Sequence, residues 1–178
     1  IEVPRFTSRY LRSMPTASAQ LSPTIRRRAR LRALRYATTF VVPLGAWATF
    51  TGHTWWAWGV PFFSFVLIPL AELFLSGKHT NLSEDEERAV LADPVFDVLV
   101  YLFVPIQWGL LALFLHLISL GGLATSQLLG YIATMGILCG VYGINVAHEL
   151  GHRTKRWERD LARALLLTSL YMHFIIEH

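Results

Sequence analysis

Cysteine is almost absent. Cys139 stands alone inside an apolar run, which excludes a disulfide within the chain and any cysteine-built zinc or iron–sulfur centre. A solitary cysteine in such a run packs as a small apolar side chain. Charge is scarce too. Charged residues make up 16% of the 178, against about a quarter in an ordinary soluble domain. The sequence shows no internal repeat and no polar stretch large enough for a separate soluble domain. The opening residues do not read as a secretory leader. Their basic stretch is long, the apolar run after it is too long for a leader, and no small-residue cleavage site follows.

Apolar and aromatic residues fill the space that charge leaves. Hydrophobic residues reach 53%, with six Trp and eleven Phe, and the mean hydropathy is +0.42. This predicts an all-α membrane protein with rings at the water–lipid boundaries. Four apolar segments cover about residues 36–51, 60–75, 95–120 and 127–147. The first two are short against the ~20 residues a bilayer needs. Trp55, Trp56 and Trp58 lie between them, so an interfacial turn there completes both spans. Gly121–Gly122 marks the turn between the third and fourth. Residues 76–94 form the polar internal loop, where Ser83 and Glu86 have capping-box spacing. Two regions are expected: a basic cytoplasmic tail over 1–35 and a membrane-embedded domain over 36–178.

The basic residues set the orientation. Arg26, Arg27, Arg28, Arg30, Arg32 and Arg35 crowd before the first span. With that tail inside, parity puts all sixteen Lys and Arg on the cytoplasmic side, in full accord with the positive-inside rule. A net charge of +4 could suggest nucleic acid, but charges that flank spans are the pattern of membrane insertion, and no nucleic-acid partner is expected. The predicted topology is multi-pass, with the N-terminus cytoplasmic and the arginines against anionic lipid.

The fourth span ends in His148-Glu149-Leu150-Gly151-His152. Histidines four apart share one helix face and can reach one metal ion. The chain ends on Glu177-His178, on the same cytoplasmic side, so His148, His152 and His178 are the predicted ligands. His53, His79 and His116 read as interfacial or solvated. Residues 161–176 could make a fifth span, but a full crossing would carry His178 ~25 Å away from His148. The segment is therefore expected to lie along the inner interface or to bend, with Ser169, His173 and Glu177 as a polar stripe facing the site. His173 is expected to hydrogen-bond Glu177 rather than bind metal. Glu72, at the inner end of the second span, and Asn145, one turn before His148, could fix a histidine tautomer, with Glu149 beside them in the outer ring of the site. Gln107, mid-span, would bridge two helices.

Two chemistries fit these residues. His-Glu-x-x-His on a helix is a zinc-peptidase pattern, with Glu149 as general base. A histidine-rich iron site at a membrane face points instead to attack on lipid-soluble C–H bonds. A membrane scaffold with incidental histidines is the non-enzymatic reading.

Three strings carry a more specific resemblance. They are Asn145-Val-Ala-His148-Glu-Leu-Gly-His152-Arg153, a basic linker with Trp157, and Tyr171-Met-His173-Phe-Ile-Ile-Glu177-His178. With Pro69-Leu-Ala-Glu72 and Tyr101-Leu-Phe-Val-Pro105-Ile-Gln107 upstream, the chain from about residue 40 resembles the bacterial integral-membrane alkane monooxygenases, of the histidine-box hydroxylase and desaturase superfamily. The resemblance implies six membrane helices, four of them here, plus an interfacial helix carrying part of a cytoplasm-facing site. It implies two iron ions, O₂, rubredoxin as electron donor, and terminal hydroxylation of medium- or long-chain alkanes within lipid metabolism. His148 and His152 match the family's first histidine box, and His178 matches the start of the second. The chain stops inside that second box at about half the family's length. The isolated 178 residues are therefore expected to be inactive, since three ligands cannot hold two irons. An apolar channel between the spans would take the alkane, with Ser64 and Gly109 at its wall. Other membrane desaturases or hydroxylases and a zinc intramembrane protease are the alternatives.

Overall fold

The computed structural model describes residues 37–74 and 93–177. Every regular element in them is helical. A 3-10 turn, Ala37–Phe40, enters α1, Val41–Thr51. Helix α2 runs Thr54–Phe74, α3 runs Pro94–Leu120, and α4 runs Thr125–Gly151. Helix α5, Arg156–Thr168, follows α4 closely, and a last turn covers Phe174–Glu177. The basic tail and the Ser83–Glu86 capping box lie outside the described residues.

Among the described residues, α2, α3 and α4 are long and apolar enough to cross a membrane, at 21, 27 and 27 residues. Four spans are not reached. Helix α1 has 11 residues, about half of what a bilayer requires, and the residues before its 3-10 turn are not described. The Trp-rich stretch is not a separate turn but the 3-10 start of α2. It is tied to α4 where Trp58 Nε1 donates to Ser126 Oγ at 3.2 Å.

Local chemistry accounts for the ends of α3. The Asp93 carboxylate accepts from the Val95 N–H at 3.1 Å, with Pro94 at the first helical position. That cap satisfies an N–H the helix cannot use, and proline has none to lose there. The other end stops at Gly121 and Gly122, at φ 71° and 76°, a left-handed backbone that glycine adopts without penalty.

Two apolar cores stack along the bundle. One joins α1, α2, α3 and α4 through Val42, Ala46, Phe50, Val60, Leu110, Tyr131 and Leu138. The other joins α3, the end of α4 and α5 through Phe103, Val104, Ala147, Leu150, Ala162, Leu165 and Leu166. Helix α5 buries Glu158, Ala162, Leu165 and Leu166, the i, i+4, i+7, i+8 stripe of an amphipathic helix. Helices α2 and α4 each contain a π-helical segment, Phe63–Leu67 and Leu138–Gly143. The second leads directly into the turn that bears the histidines.

The segment after α5 bends, one of the two expected outcomes, but its predicted polar stripe does not form as a helix face. Helix α5 ends at Thr168. Tyr171 N–H donates to the Leu166 carbonyl at 3.0 Å and Leu170 N–H to the Leu167 carbonyl at 3.1 Å, while Leu170 sits at φ 56°. This is a Schellman cap with leucine where glycine is usual. It places Ser169 and His173 on opposite sides of a turn, so i, i+4 spacing no longer puts them on one face.

Candidate metal centre

The last turn of α4 carries His148, and His152 caps its C-terminal end. His148 Nε2 and His152 Nε2 lie 3.1 Å apart, with their rings at 82°. Metal–nitrogen bonds of ~2.0–2.1 Å at tetrahedral or octahedral angles put neighbouring ligand nitrogens about 2.8–3.4 Å apart. The pair therefore matches one edge of a coordination polyhedron. Phe174, delivered by the Schellman turn, sets its ring against His148 at 5.8 Å.

Charged side chains hold this turn from one side. Arg153 bridges Asp97 on α3 at 2.9 Å and Glu149 at 3.0 Å. Burial alone would lower the Arg153 pKa, but the Asp97 and Glu149 carboxylates outweigh it and the net shift is upward. Below them, Tyr101 on α3 donates to the Glu158 carboxylate at 2.5 Å, with Glu158 only 2% exposed. Trp157 packs edge-on to Tyr101 at 4.8 Å. A cleft of about 630 Å³ opens beside the histidine turn. Its walls are apolar, including Phe96, Val100, Phe103 and Val146, and its polar end carries Asn145, Glu149 and Arg153.

The remaining predicted residues are scattered. Asn145 Nδ2 donates to the Val141 carbonyl of its own helix at 2.5 Å. Glu149 is held by Arg153. His173 is exposed and meets the Tyr171 ring at 4.3 Å. It is joined to Glu177 through the backbone, where Glu177 N–H donates to the His173 carbonyl at 3.1 Å. Glu72 is exposed, near the described end of α2. His178 lies outside the described residues. Among those described, no group of three His, Cys, Asp or Glu side chains converges to hold a metal. Gly109 lines a cleft of about 480 Å³ with Phe40, Pro43, Leu44 and Trp47. Ser64 belongs to neither cleft, and its hydroxyl is buried without a partner.

Sequence reasoning missed Asp97, Glu158 and the role of Tyr101. A signal for Glu158 was available. It falls in register with Ala162, Leu165 and Leu166, so a carboxylate stands on the apolar face of α5 and needs a donor.

These features define a class: a helical chain with several candidate membrane spans and a histidine pair converging where one of them ends. No protein-family model matches the chain. Over 128 residues it is 30% identical to alkane 1-monooxygenase 1 of Alcanivorax borkumensis, covering 72% of this chain and 31% of that protein. It is 27% identical over 144 residues to alkane 1-monooxygenase 2 of the same organism, covering 78% and 38%. It is 28% identical over 127 residues to the alkane 1-monooxygenase of Pseudomonas putida, covering 68% and 31%. The chain is a distant homologue of the alkane 1-monooxygenases and spans about a third of the length of the curated relatives it matches.

Proposed function

We propose that this chain belongs to a membrane-bound, non-haem di-iron monooxygenase. It would hydroxylate the terminal carbon of medium- or long-chain alkanes with O₂ and electrons from rubredoxin. The observation that carries this reading is the 3.1 Å approach of His148 Nε2 and His152 Nε2 at the end of a 27-residue apolar helix, in a chain related to alkane 1-monooxygenases. The proposed setting is the bacterial inner membrane, with four spans and the N-terminus cytoplasmic.

His148, His152 and His178 would hold iron. For Nε2 to bind metal, each ring must carry its proton on Nδ1, so an acceptor near Nδ1 sets the tautomer. Asn145, Glu149, Glu72, His173 and Glu177 are the proposed outer groups. Two described histidines are fewer than two irons require, so the reading needs ligands from beyond the described residues. When bound, the irons supply activation of O₂. The chain's own part is to hold the histidine turn, to position an alkane that offers no polar handle, and to keep water away from it. The apolar cleft beside the turn suits that task, as does the Gly109 cleft; Ser64 is retained as a channel-wall proposal.

The zinc-peptidase reading is weakened by Glu149. A general base must face the metal-bound water, whereas this carboxylate is bound by Arg153 at 3.0 Å. Metal analysis of the purified membrane protein tests the choice, with a His148→Ala/His152→Ala variant alongside. In the native full-length protein that carries this segment, about two irons per molecule, lost in the variant, together with hydroxylation of a medium-chain alkane, are expected. One zinc per chain would favour the peptidase, and no metal would sink both enzyme readings.

A further inference from the structure

Gln107 lies in the middle of α3 and is 0% exposed. Its Nε2 donates to two groups on two other elements. One is Cys139 Sγ at 3.2 Å, within the π-helical segment of α4. The other is Thr168 Oγ1 at 3.5 Å, the last residue of α5. Those two elements also meet each other there, because the Cys139 thiol points at the Thr168 carbonyl at 3.6 Å. At Gly143, where the π segment ends, an added Cβ would lie 3.7 Å from Gln107 Nε2 and 3.9 Å from Thr168 Oγ1. The three helices thus close on a single amide.

Both tie points govern the residues beyond them. Closing the π segment into regular α-helix would change the register by one residue. Every later residue of α4 would then rotate by about 100° around the helix axis, and His148 and His152 would swing to another face. Thr168 immediately precedes the Schellman turn that carries Phe174 to His148. The Gln107 Oε1 acceptor is buried without a partner. For stability alone an apolar side chain would serve better at this depth.

We infer that Gln107 is a positioning residue. It locks the π segment of α4 to the end of α5 and so sets the direction of the His148–His152 pair relative to the Phe174 turn. The functional consequence rests on those histidines being metal ligands; the structural statement does not.

The test uses the full chain in lipid nanodiscs, with Gln107→Leu and, as control, Thr134→Val. Thr134 is on α4, also 0% exposed, with a hydroxyl that has no partner. Two quantities are read: affinity for Co²⁺ alone, from its visible absorption, and hydrogen exchange across residues 145–153 and 169–174. Gln107→Leu is expected to weaken Co²⁺ binding by about 10- to 100-fold and to speed exchange in both segments, with no fall in melting temperature. Thr134→Val should match the wild type in both. Unchanged exchange in the two segments would overturn the inference, as would a uniform rise across all helices, which marks general loosening. If the wild type takes up no Co²⁺, the metal reading fails and exchange alone decides the role of Gln107. Gln107→Met, similar in length and without the amide, replaces Gln107→Leu if the latter does not fold.

Discussion

The Tyr101–Glu158 pair should give an asymmetric response to mutation. Glu158 is 2% exposed, and the Tyr101 hydroxyl is its hydrogen-bond donor. Tyr101→Phe keeps the ring, and with it the edge contact to Trp157 at 4.8 Å, but strips the donor from a buried carboxylate. A hydrogen bond to a charged group contributes about 1.5–3 kcal/mol net, and orphaning the buried partner adds its desolvation. For a chain of this size about 1 kcal/mol moves the melting temperature by roughly 2–4 °C, so a fall of about 3–12 °C is expected from the bond alone, and more with the desolvation. Glu158→Leu should instead be close to neutral, because a buried charge is replaced by apolar volume and the half-exposed Tyr101 hydroxyl can turn to water. The double variant should match Glu158→Leu alone, which makes the two changes strongly non-additive. Thermal melts of all four proteins in one detergent complete the cycle. A Tyr101→Phe protein within about 0.5 kcal/mol of wild type, or strict additivity, would refute the claim that this bond clamps α5 to α3.

Backbone geometry supplies two further predictions. Leu170 occupies φ 56° and is 83% exposed. A left-handed conformation costs an L-residue about 1–2 kcal/mol, so Leu170→Gly should stabilise by about 0.5 kcal/mol once glycine's greater unfolded-state freedom is subtracted. Leu170→Ala should show no such gain, and equal melting temperatures for the two would refute the strain argument. At Gly130 an added Cβ would lie 2.6 Å from the Ala57 carbonyl oxygen. The obstacle is backbone rather than a flexible side chain, so Gly130→Ala should destabilise by about 1–3 kcal/mol, read as a lower melting temperature, and an unchanged one would mean that α2 and α4 can move apart there freely.

The C-terminal end of α3 was read without coordinates, and the N-terminal end could have been, because both causes are local. Asp93-Pro94 caps the N-terminus and Gly121-Gly122 turns the chain, each within a few residues. The π segment at Leu138–Gly143 and the leucine-capped Schellman turn were not readable. Leucine carries no turn signal, and a π segment preserves the apolar character of a span while shifting its register. The polar stripe Ser169, His173, Glu177 failed for that reason: the i, i+4 rule holds only inside an uninterrupted helix.

Sequence alone determined the long apolar runs of α2, α3 and α4, the glycine stop after Leu120 and the placing of His148 and His152 on one face, since 3.6-residue periodicity is a property of the covalent backbone. Tertiary packing decided everything that joins distant residues. Tyr101 meets Glu158 across 57 positions, and Gln107 meets Cys139 and Thr168 across 32 and 61. Such pairs form because buried polar atoms must find partners wherever the helices cross, and where helices cross is set by the fit of whole apolar faces.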